Sequence, residues 1–169
     1  MIRSLKGSTP IVHSSAYVSE TAYLVGEVEI GENSSIWPGA VLRGDSGKII
    51  VGKNTNIQDN SVVHADKGSH IGDGVTLGHG VVCHARSVGA NSLLGNGCTV
   101  NDGAEIGEGS IVASGAVVLE EVKIPPGSLV VGIPAKVLGP TTARHREMIQ
   151  STGEHYVQRG REYKAEGLE

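Results

Sequence analysis

Aliphatic residues recur every six positions from near the start of the chain: Val12, Val18, Leu24, Ile30, Ile36 and Leu42. An α-helix repeats about every 3.6 residues and a strand about every 2, so neither element has this period. After three extra residues the beat resumes at Val51, Ile57 and Val63, and after two more at Ile71, Leu77 and Cys83. One residue is then dropped, and the series runs unbroken through Val88, Leu94, Val100, Ile106, Val112, Val118, Ile124 and Val130. A small or β-branched residue stands four positions after nearly every member, as at Ala16, Ala22, Val28, Ser34, Ala40, Thr55, Ser61, Ser92, Cys98 and Ala104. A fixed short period marks a repeat architecture, in which each unit buries its apolar side only by stacking on its neighbours. Each six-residue unit supplies a short strand and a corner, and three units close a triangular coil. Coils stacked at the ~4.8 Å strand spacing turn the repeated aliphatics into columns that line a slim interior. The predicted fold is an all-β solenoid.

The beat stops near Pro140, and residues 140–169 turn polar, with Met148, Ile149, Tyr156 and Tyr163 near a seven-residue interval. That spacing predicts a C-terminal helix lying along the solenoid, so the chain divides into a coil domain over 1–139 and a helix over 140–169. Gly153 and Gly160 weaken the helix by about 1 kcal/mol each relative to Ala, which makes its order depend on docking. Composition agrees with a narrow core: Phe is absent, aromatics are 3%, and 25 of 169 residues are Gly. The net charge of −4 without a basic run gives no footprint for nucleic acid or an anionic membrane. No segment approaches the ~20 apolar residues of a membrane span, and no signal peptide is evident, so the expected location is cytoplasmic. Cys83 and Cys98 lack metal-type spacing and read as reduced core thiols.

The candidate chemistry lies between Asn56 and Arg86, where His64, His79 and His84 fall in one glycine-rich window. With insertions counted, Leu42, Val63, Cys83 and Val100 stack in one column, and the residues after them point outward. That outward column reads Arg43, His64, His84, Asn101. Two imidazoles one strand spacing apart can share a metal bound at ~2.0 to 2.1 Å. His79 stands two residues after Leu77, on the preceding face near a corner, with Asp59 beneath it. Adjacent faces of a triangular prism diverge, so a neighbouring chain must bring His79 to the other two, and three faces suggest three subunits. Three neutral nitrogens with an open position make the donor set of a catalytic zinc site; iron(II) and cobalt suit it equally. His13, His70, His145 and His155 are expected on the surface.

The repeat resembles the hexapeptide-repeat, left-handed parallel β-helix proteins over roughly residues 11–135, and that resemblance supplies the left hand. Within them the chain is similar to the gamma-class carbonic anhydrases. The segments that carry the likeness are Leu42-Arg43-Gly44-Asp45, Asn56-Ile57-Gln58-Asp59-Asn60, Val63-His64-Ala65-Asp66, Leu77-Gly78-His79-Gly80 and Cys83-His84-Ala85. The resemblance implies a homotrimer that hydrates carbon dioxide reversibly to bicarbonate by a metal-bound hydroxide at subunit interfaces. It implies that His64, His79 and His84 hold the metal and that Gln58 hydrogen-bonds the metal-bound water or hydroxide. Arg43, Asp45 and Asp59 correspond to the family's ion-pair network, and Tyr156 to a tyrosine that some relatives bring from the C-terminal helix. Tyr163 competes for that assignment.

The chain departs from the archetype, whose glutamates on acidic loops move protons away from the site. Here Ser46 follows Asp45, and Asp59-Asn60-Ser61-Val62-Val63 leads from Gln58 to His64 with no acidic insertion. Asp45 and Asp66 are the remaining acidic candidates, and slow or absent turnover is expected. Two other functions fit the coil. One is a hexapeptide acyltransferase using an acyl thioester and one histidine base, in keeping with the tail Val131-Gly132-Ile133-Pro134-Ala135-Lys136. The other is a non-catalytic trimeric scaffold that keeps its metal for stability.

Overall fold

Nearly every member of the six-residue series sits in or ends a short strand with its side chain inward, in a computed structural model that describes all 169 residues. The strands stack in parallel register on three faces. On the first face Val12, Ile30, Val51, Ile71, Val88, Ile106 and Ile124 lie in register. On the second face Val18, Ile36, Ile57, Leu77, Leu94, Val112 and Val130 do so. On the third face Leu24, Leu42, Val63, Cys83, Val100 and Val118 stack in the same way. These columns, with the small residues four positions later, form one continuous core in a left-handed parallel β-helix. Val12 and Val18, at the N-terminal end, are only partly buried because no coil lies beyond them. Cys83 and Cys98 are free and buried; burial pushes their thiols up to about 11 and about 12, so both are inert filling.

The two insertions and the deletion in the beat all fall at one corner, between the third face and the first. Two long strands, Tyr23–Ile30 and Val41–Val51, run around that corner and join the two faces into one sheet. The corner between the second and third faces is tight and regular. There Asn60 and Gly80 adopt left-handed φ of 58° and 66°, a conformation that Gly and Asn reach at least cost.

The ends of the chain add elements that the beat does not reveal. Ile2–Arg3 pairs with the strand holding Leu24 and completes the first coil. Lys136–Pro140 folds back antiparallel on Ser128–Val131 and covers the last strand of the second face.

The C-terminal helix, α1, runs from Ala143 to Ala165. Thr142 caps it: its Oγ1 accepts from the His145 backbone, and His145 Nδ1 accepts from the Thr142 backbone. The helix lies along the second face, over the strands Tyr17–Val18, Ser35–Ile36, Asn56–Ile57 and Thr76–Leu77. Its inner stripe is Ile149, Gly153, Tyr156, Gly160 and Tyr163, whereas Met148, grouped with them by spacing, is exposed. Gly160 permits the close approach, since a Cβ there would lie 3.2 Å from Ser35 Cβ. No helix is long and apolar enough to cross a membrane.

The three faces differ in what their outward side chains meet. The first presents Glu29, His70, Ser87, Glu105 and Lys123 to water. The second is sealed by α1, which leaves Ser35, Asn56 and Thr76 no more than 2% exposed. The third carries a β-branched column, Val41, Val62, Val82, Thr99 and Val117, that nothing in the chain covers; Val82 is 37% exposed.

Candidate metal centre

His64 and His84 follow Val63 and Cys83 on adjacent third-face strands, and their rings lie 5.3 Å apart between centroids at 81°. His64 is held from the insertion at the irregular corner. Its Nε2 donates to Asp45 Oδ1 at 3.0 Å, while Asp45 Oδ2 accepts from Arg43. The Arg43 hydrogen bond holds the Asp45 carboxyl below the ordinary carboxylate range, so it stays an acceptor. His84 Nδ1 stands 3.3 Å from Asp102 Oδ1 on the next coil.

His79 occupies the tight corner between the second and third faces. Its backbone N–H donates to Asn96 Oδ1 at 3.0 Å, and its Nδ1 lies 2.9 Å from Asp59 Oδ2. The ring is half exposed. No three histidine, cysteine or carboxylate side chains in one chain converge on a point that could hold a metal ion. The chain therefore carries two candidate half-sites on different corners: Arg43, Asp45, His64 and His84 on one, and Gln58, Asp59 and His79 on the other.

The three histidines are alike in pairing with a carboxylate, through Nε2 in His64 and through Nδ1 in His79 and His84. Each commits one ring nitrogen to a carboxylate and leaves the other without a protein hydrogen bond. His64 Nδ1 is the one buried side-chain polar atom with no partner. Buried polar atoms are nearly always satisfied, so this nitrogen is an atom in want of a ligand. A carboxylate behind an imidazole is also what fixes ring orientation and basicity in metal sites.

Gln58 is not a solvated strand residue: it is 4% exposed. Its Nε2 donates to Asn56 Oδ1 at 2.9 Å, and Asn56 Nδ2 donates to Thr76 Oγ1 at 2.8 Å. With its nitrogen so engaged, Gln58 presents Oε1 as a free acceptor. Tyr156 packs edge-on against Trp37 with centroids 5.3 Å apart. Burial raises its phenol pKa, and the charge of Asp59 adds to the rise. Tyr163 packs against the same Trp37 and against Tyr17, so both helix tyrosines belong to one aromatic cluster.

Sequence reasoning missed Asp102, Asn56 and Thr76. Asp102 was within reach of the register, because the pairing of Cys83 with Val100 brings the residues that follow Val100 beside His84. The roles of Asn56 and Thr76 depend on α1 covering them, and no spacing announces that.

Known proteins share both the coil and the sequence. A family model described as hexapeptide repeat of succinyl-transferase matches residues 48–85, and one described as bacterial transferase hexapeptide (six repeats) matches 87–120. A carbonic anhydrase of Geobacillus kaustophilus is 41% identical over 167 residues, covering 98% of this chain and 92% of that protein. Gamma carbonic anhydrase 2, mitochondrial, of Arabidopsis thaliana is 36% identical over 157 residues; the match covers 88% of this chain and 56% of that longer protein. Among solved structures, a hexapeptide transferase family protein from Anaplasma phagocytophilum superposes with a TM-score of 0.93 at 40% identity, covering 96% of this chain and 98% of that one. With that level of identity across almost its whole length, the chain belongs to the gamma-class carbonic anhydrase family of hexapeptide-repeat, left-handed β-helix proteins.

Proposed function

We propose that the protein hydrates carbon dioxide reversibly to bicarbonate in a homotrimer, at a metal held by His64 and His84 of one chain and His79 of the next. The observation that carries this reading is the shared state of the three rings: one nitrogen on a carboxylate, the other without a partner. The orphaned His64 Nδ1 supports the fit of a cation to this set. Zinc is the proposed metal, with iron(II) and cobalt as alternatives that the same nitrogen donors accept. The bare third face supports the assembly, since its column of Val41, Val62, Val82 and Val117 lacks a cover and lies between the corners that carry the two half-sites.

A divalent cation on three neutral imidazoles acidifies bound water to a pKa near ~7 and so supplies a nucleophile at neutral pH. The chain's own residues prepare the rest. Asp59 and Asp102 fix the rings of His79 and His84, and Asp45, backed by Arg43, fixes His64. Gln58 Oε1 accepts a hydrogen bond from a proton-bearing oxygen and orients it toward the carbon of carbon dioxide. Tyr156, packed on Trp37, is the proposed donor to an oxygen of the product, with Tyr163 on the same Trp37 as the competing assignment. Proton export falls to Asp66, which is 78% exposed and 3.9 Å from His64 Nε2, because Asp45 is occupied by Arg43 and His64. With one exposed carboxylate in place of acidic loops, turnover is proposed to be slow.

The names of the matching repeat models favour acyl transfer as a second reading. Acyl transfer by a single histidine base leaves the stacked His64–His84 pair and its two carboxylates unused. Elemental analysis of protein purified without oxygen, paired with a hydration assay on the same sample, separates the two. About one metal per chain with measurable hydration supports the anhydrase; metal-free protein that transfers an acyl group from a thioester overturns it.

A further inference from the structure

Two asparagines that flank the third face each commit one end of the side-chain amide to a backbone group and leave the other end free. Asn96 stands at the tight corner one rung above His79, and its Oδ1 accepts from the His79 backbone N–H at 3.0 Å. Gly78 makes room for it, since a Cβ there would lie 2.4 Å from that oxygen. Asn101 follows Val100 one rung above His84, and its Nδ2 donates to the Val118 carbonyl oxygen at 2.9 Å. The oxygen and nitrogen of an amide have nearly the same shape, so hydrogen bonds decide which way it faces. Here each partner allows one answer, because a backbone N–H only donates and a carbonyl oxygen only accepts. Asn96 therefore presents Nδ2 as a donor and Asn101 presents Oδ1 as an acceptor, and neither atom has a partner in its own chain.

Within one chain, extended backbone on the order of 15 Å long parts the two side chains, too far for a hydrogen bond. Between chains their heights match. Asn96 precedes Asn101 by the same step as His79 precedes His84, one rung higher. Rotation about an axis parallel to the stack turns a chain without sliding it, so an interface that carries one chain's His79 to its neighbour's His84 also carries Asn96 to Asn101. We propose that Asn96 Nδ2 of one chain donates to Asn101 Oδ1 of the next, and that this bond fixes the height at which His79 enters the neighbour's histidine pair. The proposal rests on the homotrimeric reading above, with a second copy of this chain as the occupant of the third face. The apolar column of that face cannot set the height alone, because Val41, Val62, Val82 and Val117 repeat nearly the same surface from rung to rung. The asparagine pair can: a slip of one rung upward sets the Asn96 donor against Leu119, which offers no side-chain acceptor.

The test follows mass against chain concentration by sedimentation or, where dilution does not part the trimer, the rate of subunit exchange; neither needs hydration activity. Asn96→Asp keeps the oxygen that holds His79 and turns the donor into a second acceptor, so two acceptors face each other. The concentration at which half the trimer dissociates should rise at least tenfold, or exchange should quicken as much. Asn101→Lys sets donor against donor and should weaken the trimer likewise. Asn96→Asp/Asn101→Lys in one chain places a carboxylate opposite an ammonium at every interface, and the trimer should return to within about threefold of wild type. If Asn101→Lys does not fold, Asn101→Arg takes its place. At concentrations where Asn96→Asp is fully trimeric, its affinity for zinc should still fall severalfold, because His79 is no longer held at one height. Unchanged association in Asn96→Asp overturns the proposal, as does a double variant no tighter than Asn96→Asp; wild-type zinc affinity in trimeric Asn96→Asp overturns the role in placing His79. A wild-type chain that stays monomeric at every concentration sinks the trimer reading and the proposal with it, whereas a wild-type trimer indifferent to Asn96→Asp sinks the proposal alone.

Discussion

Two glycines on the inner stripe of α1 look equivalent in sequence and should respond oppositely to alanine. Both sit inside a helix, where Gly is worse than Ala by about 1 kcal/mol. A Cβ added at Gly153 meets nothing within 4 Å, since the residue borders a groove of about 410 Å³ between α1 and the corner turns at Asn54, Gly74 and Asn91. Gly153→Ala should therefore keep the full helical gain and stabilise the protein by about 0.5–1 kcal/mol. At Gly160 the same gain is offset, because the new Cβ lies 3.2 Å from Ser35 Cβ and 3.5 Å from Tyr17 Cβ, both on a rigid strand face. Overpacking of that kind costs about 1–3 kcal/mol, so Gly160→Ala should be destabilising by ~0–2 kcal/mol. Two midpoints in urea, measured at equal chain concentration, decide it. The Gly153→Ala midpoint should rise above wild type and the Gly160→Ala midpoint should not. Equal stabilisation in both variants would refute the close docking of α1 on Ser35; destabilisation in Gly153→Ala would mean that something fills the groove in the assembled protein.

Gln58→Ala should retain metal while losing at least tenfold in hydration rate; loss of the metal on elemental analysis would make Gln58 a support for the ligands instead. Stripping metal should lower both mass and melting temperature, since each site loses about 2.7 kcal/mol of stability relative to protein with metal at a hundredfold the dissociation constant, and an unchanged mass and melting curve would contradict an interfacial site. Mixing His64→Ala with His79→Ala chains and allowing exchange should restore metal at roughly a quarter of sites, since about three-quarters of random rings are mixed and each has one intact interface. His64→Ala with His84→Ala should restore none. Burial raises the phenol pKa values of Tyr17 and Tyr156 above 10.0, so their phenolate absorbance should lag that of free tyrosine. The unfolded chain loses those protons first, so alkaline stability should begin to fall as pH passes 10.

The coil was legible because every inward position repeats the same demand. Leu42, Val63, Cys83 and Val100 each fill one rung of a column too narrow for an aromatic ring, so their spacing reports the register directly, insertions included. Elements outside the column carry no such signal. Lys136–Pro140 is held by its antiparallel pairing with Ser128–Val131, and its side chains are mostly exposed, so no periodicity marks it. The helical glycines read as weaknesses because sequence shows their propensity and not the strand face against which Gly160 packs.

The candidate site divides along the same line. Register places His64 beside His84, and Asp59 beside His79, because each pair follows stacked core residues at equal offsets. The polar partners behind them escape, since an outward Asn or Thr looks the same in sequence whether water or a helix lies over it. The stack also explains why a three-histidine site would divide between chains. Neighbouring rungs are ~4.8 Å apart, within the span of two imidazoles on one cation, but a third rung of the same column is ~9.6 Å from the first and beyond the reach of bonds of ~2 Å. Arg43 and Asn101, which flank the pair in that column, are accordingly free to be something other than histidine. The next face of the same chain turns away at the corner, so a third nitrogen on this architecture has to arrive from a neighbour. His79, half exposed and braced by Asp59 and Asn96, meets that requirement under the proposed assembly.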